Sequence, residues 1–206
     1  MLRSCAFIVA ALAGIAAANP TVVYTDGAGS TQGGIFSAAT SDHGTFDTFC
    51  LERGEGLSFG FTYEYGVSTD AFYGGSNTVD PLDERTAYLY TLFSANVSNI
   101  DSLLGGGNTL EQIANAMQLA IWDIEQDQAT GDADALALIA AANAAVGGGS
   151  WSGLGNVRVM NVFNPGHFGD ENHAKQDTLI IVPLPSAAGL ASVGLLGLAV
   201  ARRRAR

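Results

Sequence analysis

Between Asn108 and Ile124 the apolar residues recur with the period of a helix, and no other stretch constrains the fold as strongly. With Met117 as reference, Leu110, Ile113, Ala120, Ile121 and Ile124 fall within about 60° of it at about 100° per residue, which makes one core-facing stripe. Asn108 stands at the N-cap position and Glu111 three residues later, the spacing of a capping box. Gln118 lies about 100° round from Met117, at the edge of the stripe, with Ala114 beside it and Trp122 one turn further on. On the helix alone, the plain reading is a boundary glutamine hydrogen-bonded to a nearby main-chain group.

The segments on either side read mostly as strand. Residues 21–24 form a short apolar strand stopped by Asp26-Gly27. In residues 45–51, Phe46, Thr48 and Cys50 share one side while Asp47, Phe49 and Leu51 share the other. Leu57, Phe59, Phe61, Tyr63 and Tyr65 alternate with polar or small residues, the clearest period-2 pattern in the chain. A turn over residues 52–56 would pair these two strands as a hairpin, with an aromatic ladder near Cys50. Asp80-Pro81 reads as cap and first position of a helix carrying Leu82, Thr86, Leu89, Leu92 and Phe93. Gly105-Gly106-Gly107 links it to the Gln118 helix, and an Ala-rich third helix spans residues 132–146. Two strands follow, over residues 157–163 and 178–182. The expected fold is α+β: a β-rich, sandwich- or barrel-like domain with a helical insert of about three helices.

Cysteine usage sharpens the functional question. The chain has two cysteines, Cys5 and Cys50. Residues 1–18 read as a secretory signal: a basic start at Arg3, an apolar run over residues 6–18, and Ala16-Ala17-Ala18 as a small-residue cleavage site. The mature chain would then carry Cys50 alone into an oxidising compartment, which points to an intermolecular disulfide, a reactive thiol or another bond.

Phe49-Cys50-Leu51, followed by Gln118-Leu119-Ala120-Ile121-Trp122, resembles the two signatures of bacterial thioester domains. Met117 stands where members of that family often carry Thr. The resemblance implies a thioester between Cys50 and Gln118, shielded by Phe49 and Trp122 and attacked once by an amine of a surface or matrix protein. Such a module is a single-turnover covalent binder and not an enzyme, and it needs no cofactor. The expected role is adhesion or cross-linking at the cell surface or in the extracellular matrix.

The C-terminal tail, residues 183–206, resembles the PEP-CTERM sorting tail of bacterial envelope proteins. Pro183-Leu184-Pro185 precedes an apolar run and then Arg202, Arg203 and Arg204, with Leu184 where the family usually has Glu. The resemblance implies processing by a membrane protease of the exosortase type. The arginines place the tail end in the cytoplasm and the body across the membrane, with a transient or permanent anchor. The domain boundaries are thus 1–18 signal, 19–182 thioester-like body and 183–206 tail, and the protein is expected to be exported to the envelope or beyond.

The body carries all 20 acidic residues against Arg53, Arg85, Arg158 and Lys175, a net charge of −16. That balance excludes a nucleic-acid partner, whose phosphates need Lys and Arg. Two other functions are weighed beside the covalent binder. One is a structural matrix protein in which the motifs have lost their chemistry. The other is a cysteine hydrolase with Cys50 as nucleophile and His167 or His43 as base. His167, Asp170, Glu171 and His173 cluster in a Gly-rich loop. With no helical i, i+4 pair and no cysteine beside them, no metal site is expected there. Asp123, Glu125 and Asp127 read as solvated carboxylates.

Overall fold

The computed structural model describes residues 18–30, 33–72 and 79–182. Residues 1–17 of the signal segment, and the sorting motif of Pro183, Pro185, Arg202, Arg203 and Arg204, lie outside them. Among the described residues, no helix is long and apolar enough to cross a membrane.

Among the described residues, eight strands and four α-helices make up the body. They are β1 (Thr21–Asp26), β2 (Phe36–Thr40), β3 (Gly44–Thr48), β4 (Thr62–Ser68), β5 (Asp70–Phe72), β6 (Val79–Pro81), α1 (Glu84–Ala95), α2 (Val97–Leu103), α3 (Leu110–Ile124), α4 (Ala133–Gly147), β7 (Val157–Phe163) and β8 (Ala174–Ile181). Six strands form one antiparallel sheet in the order β3-β2-β1-β4-β7-β8, and β5 pairs with β6 in a separate ribbon. The α+β, β-rich architecture expected from sequence is the one observed, with the helices inserted between β6 and β7.

What makes the sheet barrel-like is the run-on of β3. Phe49 to Leu51 leave β2 and pair with β8, through a bridge between Cys50 and Thr178. Leu51 N donates to Asp177 O at 3.0 Å and Leu179 N to Phe49 O at 3.3 Å. Thr48 stitches the same seam, its Oγ1 donating to Leu179 O at 2.6 Å. One continuous segment therefore joins the two edge strands, which leaves fewer main-chain groups unpaired.

Two apolar cores result from the alternation of strand side chains. Val22, Tyr24, Ala38, Tyr63, Tyr65, Met160, Val162 and Ile180 pack together on one face of the sheet. Phe49, Leu51, Val157, Val159 and Leu179 face the other way and meet the helices, Leu89, Ile113, Met117, Ile121 and Leu138 among them. The odd-even split within residues 48–51 thus divides two environments, as period 2 requires.

Several sequence expectations are corrected. The hairpin between the Cys50 strand and the aromatic strand does not form: β4 starts only at Thr62 and pairs with β1 and β7. Tyr63 and Tyr65 are buried, but Phe59 and Phe61 are exposed, because Gly60 takes a positive φ and breaks the alternation. Asp80-Pro81 ends β6 instead of opening a helix. Asp83 caps α1, its side chain accepting from Arg85 N. The expected first helix is also two, since Asn96 is extended and serves as C-cap of α1 and N-cap of α2. The insert therefore has four helices. On α3 the cap is Thr109 with Gln112, one residue later than expected, because Asn108 is engaged by Asp101. That leaves Leu110 49% exposed at the helix start, while the rest of the stripe is buried.

Candidate functional site: the Cys50–Gln118 contact

α3 packs beside the barrel seam, its Ala114 and Ala120 in the same buried cluster as Phe49 and Leu51. Gln118 is 1% exposed and reaches the main chain of Cys50 from 68 positions away. Its Nε2 donates to Cys50 O at 2.9 Å, and its Oε1 accepts from Cys50 N at 3.1 Å. The carboxamide completes both main-chain bonds of Cys50 on that side, as a neighbouring strand would. A second main-chain donor, Gly34 N, points at the same Oε1 from 3.4 Å.

Gly34 belongs to the β1–β2 loop, which α3 holds in two places one turn apart. Ser30 N donates to Asn115 Oδ1 at 2.7 Å, one turn before the Gly34–Gln118 bond. Gly33 is where the loop comes closest to the helix. A Cβ there would stand 2.6 Å from Gln118 Cγ and 2.7 Å from Trp122 Cη2, at φ +156°. Only glycine fits that approach without displacement.

Trp122 is 4% exposed and its indole N–H has no hydrogen-bond partner. The Arg53 guanidinium carbon lies 6.0 Å from the indole centroid, within cation–π range. Trp122, Gly33, Ser30 and Arg53 border two clefts. Cys50 lines one, together with Phe36, Phe59, Glu55, Asp127 and Gln176. Gln118 lines the other, with Asn115, Gln128 and Asp132. The two partners of the expected bond therefore line separate clefts that share Trp122. Phe49, by contrast, packs in the helical core, edge-on to Phe93 at 4.9 Å and Tyr90 at 6.5 Å.

The electrostatics around Cys50 are unusual. Burial, and secondarily the nearby Glu52 carboxyl, hold the Cys50 thiol well above its ordinary pKa. Glu52, expected in a turn, is buried. Its Oε2 accepts from Asp177 N at 3.0 Å and its carbonyl from Gln176 Nε2 at 2.5 Å. β8 carries a bulge here, where Gln176 and Asp177 lie opposite Asn161. The Asp177 carboxylate fills it by accepting from Phe72 N, Asn161 Nδ2 and Val162 N. Burial raises both Glu52 and Asp177, so this pair tends to hold protons beside the thiol. No sequence pattern marked either residue.

The three carboxylates after the α3 stripe are not simply solvated. Asp123 Oδ2 accepts from Thr130 N at 2.6 Å and Asp127 Oδ2 from Arg53 N at 3.0 Å. Burial pushes Glu125 up to about 8. Neither His43 nor His167 lines either cleft. His43 instead borders a separate groove of about 1180 Å³, lined also by Phe46, Tyr90 and Trp151. No protein-family model matches the chain, and no curated protein and no solved structure matches it either.

Proposed function

We propose that this protein is an exported covalent binder whose Cys50 and Gln118 form an internal thioester. The observation that carries this reading is the pairing of the Gln118 carboxamide with the main chain of the chain's one free described cysteine. For the bond to form, Cys50 Sγ moves onto Gln118 Cδ, whose amide already sits against the Cys50 main chain. Attack forms an S–C bond, and negative charge develops on Oε1, where Cys50 N and Gly34 N converge as an oxyanion hole would. The C–N bond then breaks, and the carboxamide nitrogen leaves as ammonia with the proton the thiol gave up. Because the thiolate is the nucleophile and Cys50 is held protonated, this first step is slow and proceeds once, during or after folding.

The product is a buried thioester with Trp122 over it. A target amine that reaches Gln118 Cδ makes an amide there and returns the thiol to Cys50, with no oxidant or cofactor. Asp132 on the Gln118 side, and Glu55 and Asp127 on the Cys50 side, draw a cationic lysine towards the clefts. Exposed aromatic Phe59, beside Phe36 at 5.5 Å, offers apolar contact at the Cys50 cleft. The partner is thus an amine-bearing surface or matrix protein. The tail, with its exosortase-type processing, delivers the body to the envelope.

Intact mass tests the bond. The mature protein should be lighter than its sequence by one ammonia, and Cys50→Ala or Gln118→Ala should each restore the calculated mass. Methylamine should add once at Gln118. Thiol titration belongs after unfolding, since burial makes even an unmodified Cys50 slow to react. A parent at its full calculated mass leaves Gln118 as a structural tie between α3 and the seam, and the motifs as packing.

A further inference from the structure

The ten residues between β7 and β8 do more than connect two strands. They run as successive tight turns: His167 N donates to Asn164 O, Asp170 N to His167 O and His173 N to Asp170 O, each at 2.9–3.0 Å. Gly166 and Gly169 both take φ +77°, the left-handed conformation such turns require. The loop is closed by Asn164 N donating to His173 O at 3.0 Å. Phe168 pins it to the sheet, 5.6 Å from Phe163 and packed over Gly66.

The three-residue repeat of turns gathers His167, Asp170 and His173 on one side. Their ligand atoms all lie within 4.8 Å of one another. His167 Nδ1 is 3.8 Å and His173 Nε2 3.9 Å from the same oxygen, Asp170 Oδ2. Both separations are too long for hydrogen bonds. The other carboxylate oxygen is already used, since Oδ1 accepts from Asn172 N and Asn172 Nδ2, each at 3.1 Å. That fixes the carboxylate and turns Oδ2 towards the two imidazoles, the outer-shell support a metal ligand ordinarily has. The imidazole rings lie nearly parallel, with centroids 3.5 Å apart and planes at 23°.

We propose that His167 Nδ1, Asp170 Oδ2 and His173 Nε2 bind a divalent cation of the zinc class, with the remaining coordination position open to solvent. Ligands held at about 2.0–2.2 Å in a tetrahedron stand about 3.3–3.6 Å apart, so closing the set needs changes of about 0.2–1.5 Å between side chains that are half exposed. Two imidazoles with one carboxylate suit zinc, copper or nickel, whereas calcium and magnesium want oxygen donors. A bound ion would clamp the loop and present an open position to a donor atom from another molecule. This site is separate from the Cys50–Gln118 contact, and its chemistry does not depend on the thioester.

The test is titration of the chelator-stripped mature protein with Zn²⁺ by calorimetry, and with Co²⁺ by visible absorption. One equivalent should bind in the micromolar range, and Co²⁺ should give the intense bands of a low-coordinate site. His167→Ala and His173→Ala should each weaken binding about tenfold or more. Asp170→Asn should do the same, and because its amide oxygen keeps the Asn172 bonds it should leave thermal stability of the metal-free protein unchanged. His43→Ala should bind as the parent does, and excess Mg²⁺ should not compete. Absence of binding by the parent, or parent-like affinity in Asp170→Asn, overturns the site.

Discussion

Replacing the Gln118 carboxamide by a carboxyl probes its contact with Cys50 without altering shape. The comparison is Cys50→Ala/Gln118→Glu against Cys50→Ala, so that no covalent bond enters either protein. The partner groups on residue 50 are main-chain atoms and survive the change. A carboxyl at 118 keeps an acceptor where Oε1 meets Cys50 N and Gly34 N, but sets a second oxygen where Nε2 now donates to Cys50 O. Ionised, that oxygen faces a carbonyl, buried and without a donor. Protonated, its O–H replaces the lost N–H. Burial at 1% exposure and the opposing carbonyl both favour the neutral acid, against two N–H donors that favour the anion. The folded-state pKa should therefore rise above the unfolded value of about 4.3. Between those two values the native state holds the extra proton, so stability falls as pH rises. The double variant should match Cys50→Ala near pH 4 to within about 1 kcal/mol. It should then lose up to about 1.4 kcal/mol per pH unit, about 2–4 kcal/mol by pH 7. Urea unfolding of the two proteins at a series of pH values reads this as a widening gap, and taking differences cancels the pH dependence both share. A gap that stays constant from pH 4 to pH 7 refutes the buried, reciprocal contact.

Other perturbations reach the same region. Gly33→Ala should lower stability by about 2–4 kcal/mol in urea unfolding, because its Cβ would overlap Gln118 and Trp122 at a strained φ; an unchanged midpoint means the loop does not clamp α3. Trp122→Ala removes an almost fully buried ring and should cost about 3–5 kcal/mol, but shorten the thioester lifetime in folded protein by more than that loss explains; equal lifetimes make the ring core packing alone. Glu125 holds its proton up to about 8 in the folded state, so it contributes a loss of stability as pH rises from about 4.5 to 8. Discounted for partial exposure, Glu125→Gln should recover on the order of 1–3 kcal/mol of that loss between melts at pH 5 and pH 8.5, and a parent-like slope rules this out. Fractionation of tagged protein should place the full-length chain in the membrane fraction and the body outside the cytoplasm, and a wholly cytosolic chain defeats the sorting reading.

Local chemistry made parts of this protein legible in advance. The stripe on α3 predicted the burial of Ile113, Met117, Ala120, Ile121 and Ile124, though not the exposure of Leu110, since a 3.6-residue period sets the core face. β7 was found residue for residue because an apolar run with alternation has few other conformations. Gln118 and Cys50 stood out because an amide at a core edge and a lone cysteine are chemically conspicuous. Other features were decided only when distant segments met. The aromatic run of residues 57–65 looked like a strand throughout, but its expected partner, the Cys50 segment, pairs with β8 and Gly60 breaks the alternation, so Phe59 and Phe61 stayed outside. Glu52 looked like a turn residue and became buried because the seam closed over it. The His167, Asp170 and His173 cluster needed two left-handed glycines to bring a spacing of three onto one side of a loop, a geometry that helical spacing rules do not cover. Sequence alone determined which residues prefer helix, strand or turn, because those preferences are local. Which strand edges pair, and hence which polar groups are buried together, depends on contacts across more than a hundred residues, and only the tertiary structure decided it.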